Sequence, residues 1–135
     1  MFFASDNAGP VHPKVMERVI AANTDYAMPY GKDPIMDEVR AQIREQFEAP
    51  EAEVYLVATG TAANALALAC YTQPWQTIFC SKVAHIEEDE CNAPEFYAGA
   101  AKLTLVETDD KMPPDALRRA IVARAAGDVH TPQRG

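Results

Sequence analysis

A chain of 135 residues, 48% of them hydrophobic and with ten prolines against six glycines, is long enough for one modest core and does not have the composition of a disordered segment. Its formal charge of −8, from 20 acidic and 12 basic side chains, argues against binding to a nucleic-acid backbone or an anionic membrane, so any phosphate it holds is a single small group. No basic-then-apolar leader opens the chain at Met1-Phe2-Phe3-Ala4-Ser5-Asp6, no stretch nears the roughly twenty apolar residues of a membrane span, and Cys70, Cys80 and Cys91 match neither CxxC nor a zinc pattern. These features lead us to expect a soluble, unexported protein with reduced thiols in a cytosol.

In chain order, Pro13 sits where a first helical residue belongs, and Val15, Val19 and Ile20 recur at helical spacing as far as Asn23. Asp33 reads as an N-cap with Pro34 behind it, and Ile35, Val39, Ile43 and Phe47 form an i, i+4 stripe, read as core, that ends before Pro50. The β-formers of Glu53-Val54-Tyr55-Leu56-Val57-Ala58 predict a strand. It leads through Thr59-Gly60-Thr61 into a helix over Ala62-Ala63-Asn64-Ala65-Leu66-Ala67-Leu68-Ala69. Thr77-Ile78-Phe79-Cys80 and Leu103-Thr104-Leu105-Val106 predict two more strands, and a helix from about Pro113 to Ala126 stops at Gly127. Helices and strands alternate without a repeat, a low-complexity stretch or a linker, which predicts α/β layering in one unit with no internal boundary.

Two places on this outline suit chemistry. The Gly60-Thr61 turn opens a helix, where unpaired backbone N–H groups and the positive end of the helix dipole favour a phosphate. The missing side chain of Gly60 lets an oxygen approach, and the Thr61 hydroxyl adds a donor. The ordinary alternative is a simple cap, and neither GxxxxGK[ST] nor GxGxxG is present to suggest a nucleotide. The second place is His85, in Ala84-His85-Ile86-Glu87-Glu88-Asp89-Glu90, just beyond a strand at what would be the carboxyl edge of a parallel sheet. Its imidazole could stack on an aromatic ligand, relay a proton, or join Glu88 or Asp89 on a metal, although no second His or suitably spaced Cys completes a metal site. The plainer alternative is a solvated acidic first turn with His85 near its cap. Ser5-Asp6-Asn7, Tyr30-Gly31-Lys32-Asp33-Pro34 and Asp128-Val129-His130 each pass alone for caps, loop anchors or exposed residues.

In this order, however, these segments resemble the low-specificity L-threonine aldolase and β-eliminating lyase family of pyridoxal-phosphate enzymes. The resemblance runs from Ser5-Asp6-Asn7 through His12-Pro13, Tyr30 to Pro34, Thr59-Gly60-Thr61-Ala62-Ala63-Asn64 and Ala84-His85 with Glu90 to Val129-His130. It implies the fold-type I architecture, an α/β/α sandwich with a mostly parallel sheet, of which residues 1–135 would be the N-terminal part of the large cofactor-binding domain. It also implies dimers or tetramers with active sites between subunits. Gly60 and Thr61 would hold the cofactor phosphate, and His85 would stack on the pyridine ring. Ser5 would help hold the substrate carboxylate, Tyr30 would line the site, and His130 would approach the substrate hydroxyl; Glu90 aligns with an acid near the stacked histidine, with no role assigned to it.

The implied reaction is retro-aldol cleavage of L-threonine, L-allo-threonine or another β-hydroxy-α-amino acid to glycine and an aldehyde. A base must take the β-hydroxyl proton, and a neutral imidazole at His130, or a water between His85 and His130, is the expected base. Another fold-type I enzyme, such as a β-eliminating lyase, would share the cofactor site. The Schiff-base lysine, its partner aspartate and a carboxylate-binding arginine belong to later parts of the family pattern. Lys14, Lys32, Lys82, Lys102 and Lys111 match none of these positions, so the 135-residue chain by itself is expected to be inactive, at most a phosphate-ligand module.

Overall fold

The computed structural model describes residues 8–124, 130 and 133–134. Where the sequence shows no boundary, contacts cluster into two compact units, Met1–Val54 and Tyr55–Gly135.

The first unit contains two helices, α1 (Pro13–Ala22) and α2 (Pro34–Gln46), each opening on a proline whose missing N–H costs nothing in a first turn. Asp33 caps α2 as the sequence predicts, accepting from the Met36 N–H at 2.9 Å. At α1 the cap is His12, whose Nδ1 accepts from the Lys14 N–H at 3.2 Å. The α2 stripe corrects the sequence reading: no α2 residue is buried, Val39 and Ile43 are half-buried, and Ile35 and Phe47 are 52% and 76% exposed. Helical periodicity identifies an apolar face, but a core forms only where another element covers that face.

The second unit runs α3 (Gly60–Tyr71), β1 (Gln76–Ser81), α4 (His85–Glu88), α5 (Ala93–Tyr97), β2 (Lys102–Val106), α6 (Pro114–Arg124) and β3 (Gln133–Arg134). Its sheet is parallel in the order β2-β1-β3, with Ile78 opposite Leu103 and Gln76 opposite Gln133. Ile78, Ala98 and Ala101 form the core, and Leu68, Ile86 and Leu103 pack against it. A buried hydroxyl pair crosses the β1–β2 ladder: Thr77 Oγ1 donates to the Lys102 carbonyl at 2.8 Å, so the 2.6 Å contact between the two hydroxyls is donated by Thr104.

The two expected strands at residues 77–80 and 103–106 are present, each slightly longer than predicted. The expected strand at residues 53–58 is not: the segment forms no ladder with any described residue, and β-forming side chains alone do not satisfy backbone N–H and C=O groups. Helix α6 ends its described course at Arg124, and the predicted Gly127 stop lies outside the described residues.

Candidate functional site

Helix α3 precedes β1 in the chain and α4 follows it, and the first turns of α3 reach the residues just past the carboxyl end of β1. The hydrogen bond that shows this joins Asn64 of α3 to Glu90, 26 residues later. The site is therefore set by one helix start and one strand end, the place where open α/β sheets hold ligands.

At the helix start, Thr59 is the cap: its Oγ1 accepts from the Ala62 N–H at 3.1 Å, and its carbonyl accepts from the Ala63 N–H at 3.2 Å. The N–H groups of Gly60 and Thr61 are left with no protein partner among the described residues. A Cβ built on Gly60 would meet no atom within 4 Å, so the approach to these donors is open. Helix dipole, two free donors and open space together fit a phosphate group.

Past β1, the acidic run divides in two. Helix α4 is only four residues long, with Glu87 and Glu88 exposed in its single turn and Ile86 anchoring it to the core. Cys91 and Asn92 then take left-handed φ values of 49° and 61°, which reverse the chain into α5. Between helix and reversal, Glu90 turns inward and is 2% exposed. Its Oε1 accepts from Asn64 Nδ2 and pairs with His85 Nδ1, both at 2.7 Å, while its Oε2 is buried with no partner among the described residues. The His85 side chain stays 65% exposed, so one ring nitrogen is tied down while much of the ring remains accessible. The ordinary reading of an acidic turn holds for Glu87 and Glu88 and fails for Glu90.

The other sequence candidates lie elsewhere. His130 is exposed in a turn before β3. β3 starts level with Gln76, and the residues that join His130 to it lie outside the described residues. Tyr30, in the first unit, is 94% exposed and takes a left-handed φ of 61°, followed by Gly31 at 69°. Arg40 holds that turn, its Nη1 donating to the Gly31 carbonyl at 3.0 Å and to Asp37 Oδ1 at 3.3 Å. Ser5 lies outside the described residues.

Sequence reasoning assigns no role to Asn64 or Glu90. Both fall inside quoted motifs, but no local spacing rule pairs residues 64 and 90 across a strand. Nearby Cys80 is buried. Desolvation, followed by the Glu87 and Glu95 carboxylates, pushes its thiol from 9.0 up to about 11, so it is a packing residue and not a nucleophile.

Comparison with known proteins places these features in context. The family model described as Beta-eliminating lyase matches residues 3–135. The low specificity L-threonine aldolase of Pseudomonas aeruginosa is 37% identical over 132 residues, and that of a Pseudomonas species is 35% identical over 132 residues. Each alignment takes in 97% of this chain, which spans 37% of the length of these curated relatives. A solved structure of Leishmania major threonine aldolase superposes with a TM-score of 0.84 at 23% identity, over 94% of this chain and 36% of that one, and establishes the α/β fold as that of fold-type I.

Proposed function

The chain belongs to the beta-eliminating lyase family, and from that premise we propose that the complete protein is a pyridoxal-phosphate-dependent aldehyde-lyase that cleaves L-threonine and related β-hydroxy-α-amino acids to glycine and an aldehyde. The observation that carries this reading is an exposed His85 tied through Glu90 and Asn64 to the helix whose first turn leaves the Gly60 and Thr61 N–H groups open, in a chain that aligns over 97% of its length with two low specificity L-threonine aldolases.

When bound, the cofactor supplies an electron sink for the pair released as the substrate Cα–Cβ bond breaks. The Gly60 and Thr61 N–H groups at the start of α3 would hold its phosphate, and the accessible ring of His85 would support the cofactor ring. Proton removal from the β-hydroxyl falls to His85 Nε2, directly or through one water, because Nδ1 is engaged by Glu90. His130 keeps the role the family resemblance gives it, approaching the substrate hydroxyl and sharing the proton transfer with His85 directly or through a water. Ser5 and Tyr30 keep the substrate-side roles the family resemblance gives them. A site that fixes the substrate carboxylate and hydroxyl but grips the β-substituent loosely accepts several β-hydroxy amino acids. The protein works as a homo-oligomer in the cytosol.

The test is to incubate the complete protein with pyridoxal phosphate and L-threonine and to measure glycine and acetaldehyde alongside ammonia and 2-oxo acid. Glycine and acetaldehyde in equal amounts is the expected result. Ammonia and a 2-oxo acid as the main products would make the protein an eliminating lyase instead.

A further inference from the structure

A carboxylate that is 2% exposed, with one oxygen shared by two donors and the other without a partner among the described residues, is an expensive thing to bury. Its partners do not need it for their own burial: Asn64 is exposed, and the His85 side chain is 65% exposed, so both could turn to water. Stability alone would favour an apolar residue at this position. The arrangement has a different consequence. An ionised Glu90 only accepts, so the 2.7 Å contact requires a proton on His85 Nδ1, and in the neutral ring the lone pair is then on Nε2. A free histidine side chain in water prefers the opposite tautomer, with its proton on Nε2. The Asn64 amide holds the same Oε1 from α3, one turn beyond Gly60, so the acid is fixed by the helix whose first turn offers the N–H groups.

We infer that Glu90 is a positioning residue, held by Asn64, that selects the Nδ1–H tautomer of His85, fixes its ring plane and couples that ring to the first turn of α3. The catalytic consequence rests on the function proposed above, in which His85 Nε2 accepts a proton; the tautomer itself does not.

The experiment is 15N magic-angle-spinning spectroscopy of the complete protein, as purified, carrying 15N-labelled histidine at about pH 9, where ordinary histidines are neutral. The His85 signals are assigned by their absence from a His85→Asn sample. The wild-type ring should show Nδ1 protonated and Nε2 bare. Glu90→Leu should move the proton largely to Nε2, leave the melting temperature unchanged or raised, and lower kcat about tenfold or more with KM within about twofold. Glu90→Gln keeps an acceptor oxygen and should restore Nδ1–H. A wild-type ring protonated on Nε2, or a tautomer indifferent to Glu90→Leu, overturns the inference, and the wild-type spectrum decides even if that variant does not fold. A Glu90-dependent Nδ1–H in a protein with no aldol activity would uphold the inference while removing the functional reading.

Discussion

Helices α1 and α2 and the surroundings of strand β1 are held by different kinds of contact. In the helical pair the side-chain hydrogen bonds reach no more than nine residues along the chain, from His12 to Lys14, Asp33 to Met36 and Arg40 to Gly31, and neither helix has a buried residue. Around β1 some bonds reach much further: Thr77 to Lys102 and Thr77 to Thr104 at its amino end, and Asn64 to Glu90 past its carboxyl end, span 25 to 27 residues around a small buried core. Short-range contacts fix where a helix starts. Long-range contacts decide which side chain is buried and which stays available for chemistry.

The largest effect that tests this contrast is chemical. Cys80 lies in the long-range core and its thiol is pushed up to about 11, whereas Cys70 and Cys91 are exposed. Two pKa units correspond to roughly a hundredfold less thiolate near pH 8, so alkylation mapped by peptide mass should label Cys80 about a hundredfold more slowly than a thiol at its ordinary value. Labelling of all three at one rate would show that the core around β1 opens freely. Because the folded protein holds this proton more tightly than the unfolded chain, the associated stability is fully present below pH 9.0 and is lost as pH rises through about 11.

A smaller effect is expected at the start of α3. Gly60→Asp places a carboxylate in open space at the first helical position, which suits the helix dipole but opposes a phosphate. Pyridoxal phosphate affinity, followed by absorbance titration of the complete protein, should fall about tenfold or more while the melting temperature holds. Unchanged affinity would move the phosphate away from Gly60. Smaller again is Asp33→Ala, which removes the α2 cap and should cost about 1 kcal/mol, read as faster amide exchange in the first turn of α2 and none at β1.

The same contrast explains what could be read from the sequence. The starts of α1 and α2, the strands β1 and β2 and the Gly60 helix start were legible because proline, cap and β-former signals act within a few residues. The predicted strand at residues 53–58 was not found, because β-forming side chains say nothing about whether a ladder partner is in reach. The apolar stripe on α2 was correctly patterned and wrongly read as core, since periodicity does not reveal what covers it. At the site, the helix start at Gly60-Thr61 and the position of His85 just past a strand were legible. The burial of Glu90 was not, because in sequence it is one acid among four, and only the left-handed Cys91–Asn92 reversal and a helix 26 residues away distinguish it. His130 rests on the family resemblance and on the basicity of an imidazole near neutral pH, and the segments that flank it lie outside the described residues.

The most direct measurement of the central claim compares retro-aldol turnover of the complete wild-type protein with that of His85→Ala and His130→Ala, assayed together with saturating pyridoxal phosphate. Loss of about a hundredfold or more in His85→Ala is the predicted result, with His130→Ala also reduced if its imidazole shares the proton transfer. His85→Ala within about twofold of wild type would contradict the assignment of the active edge to the end of β1.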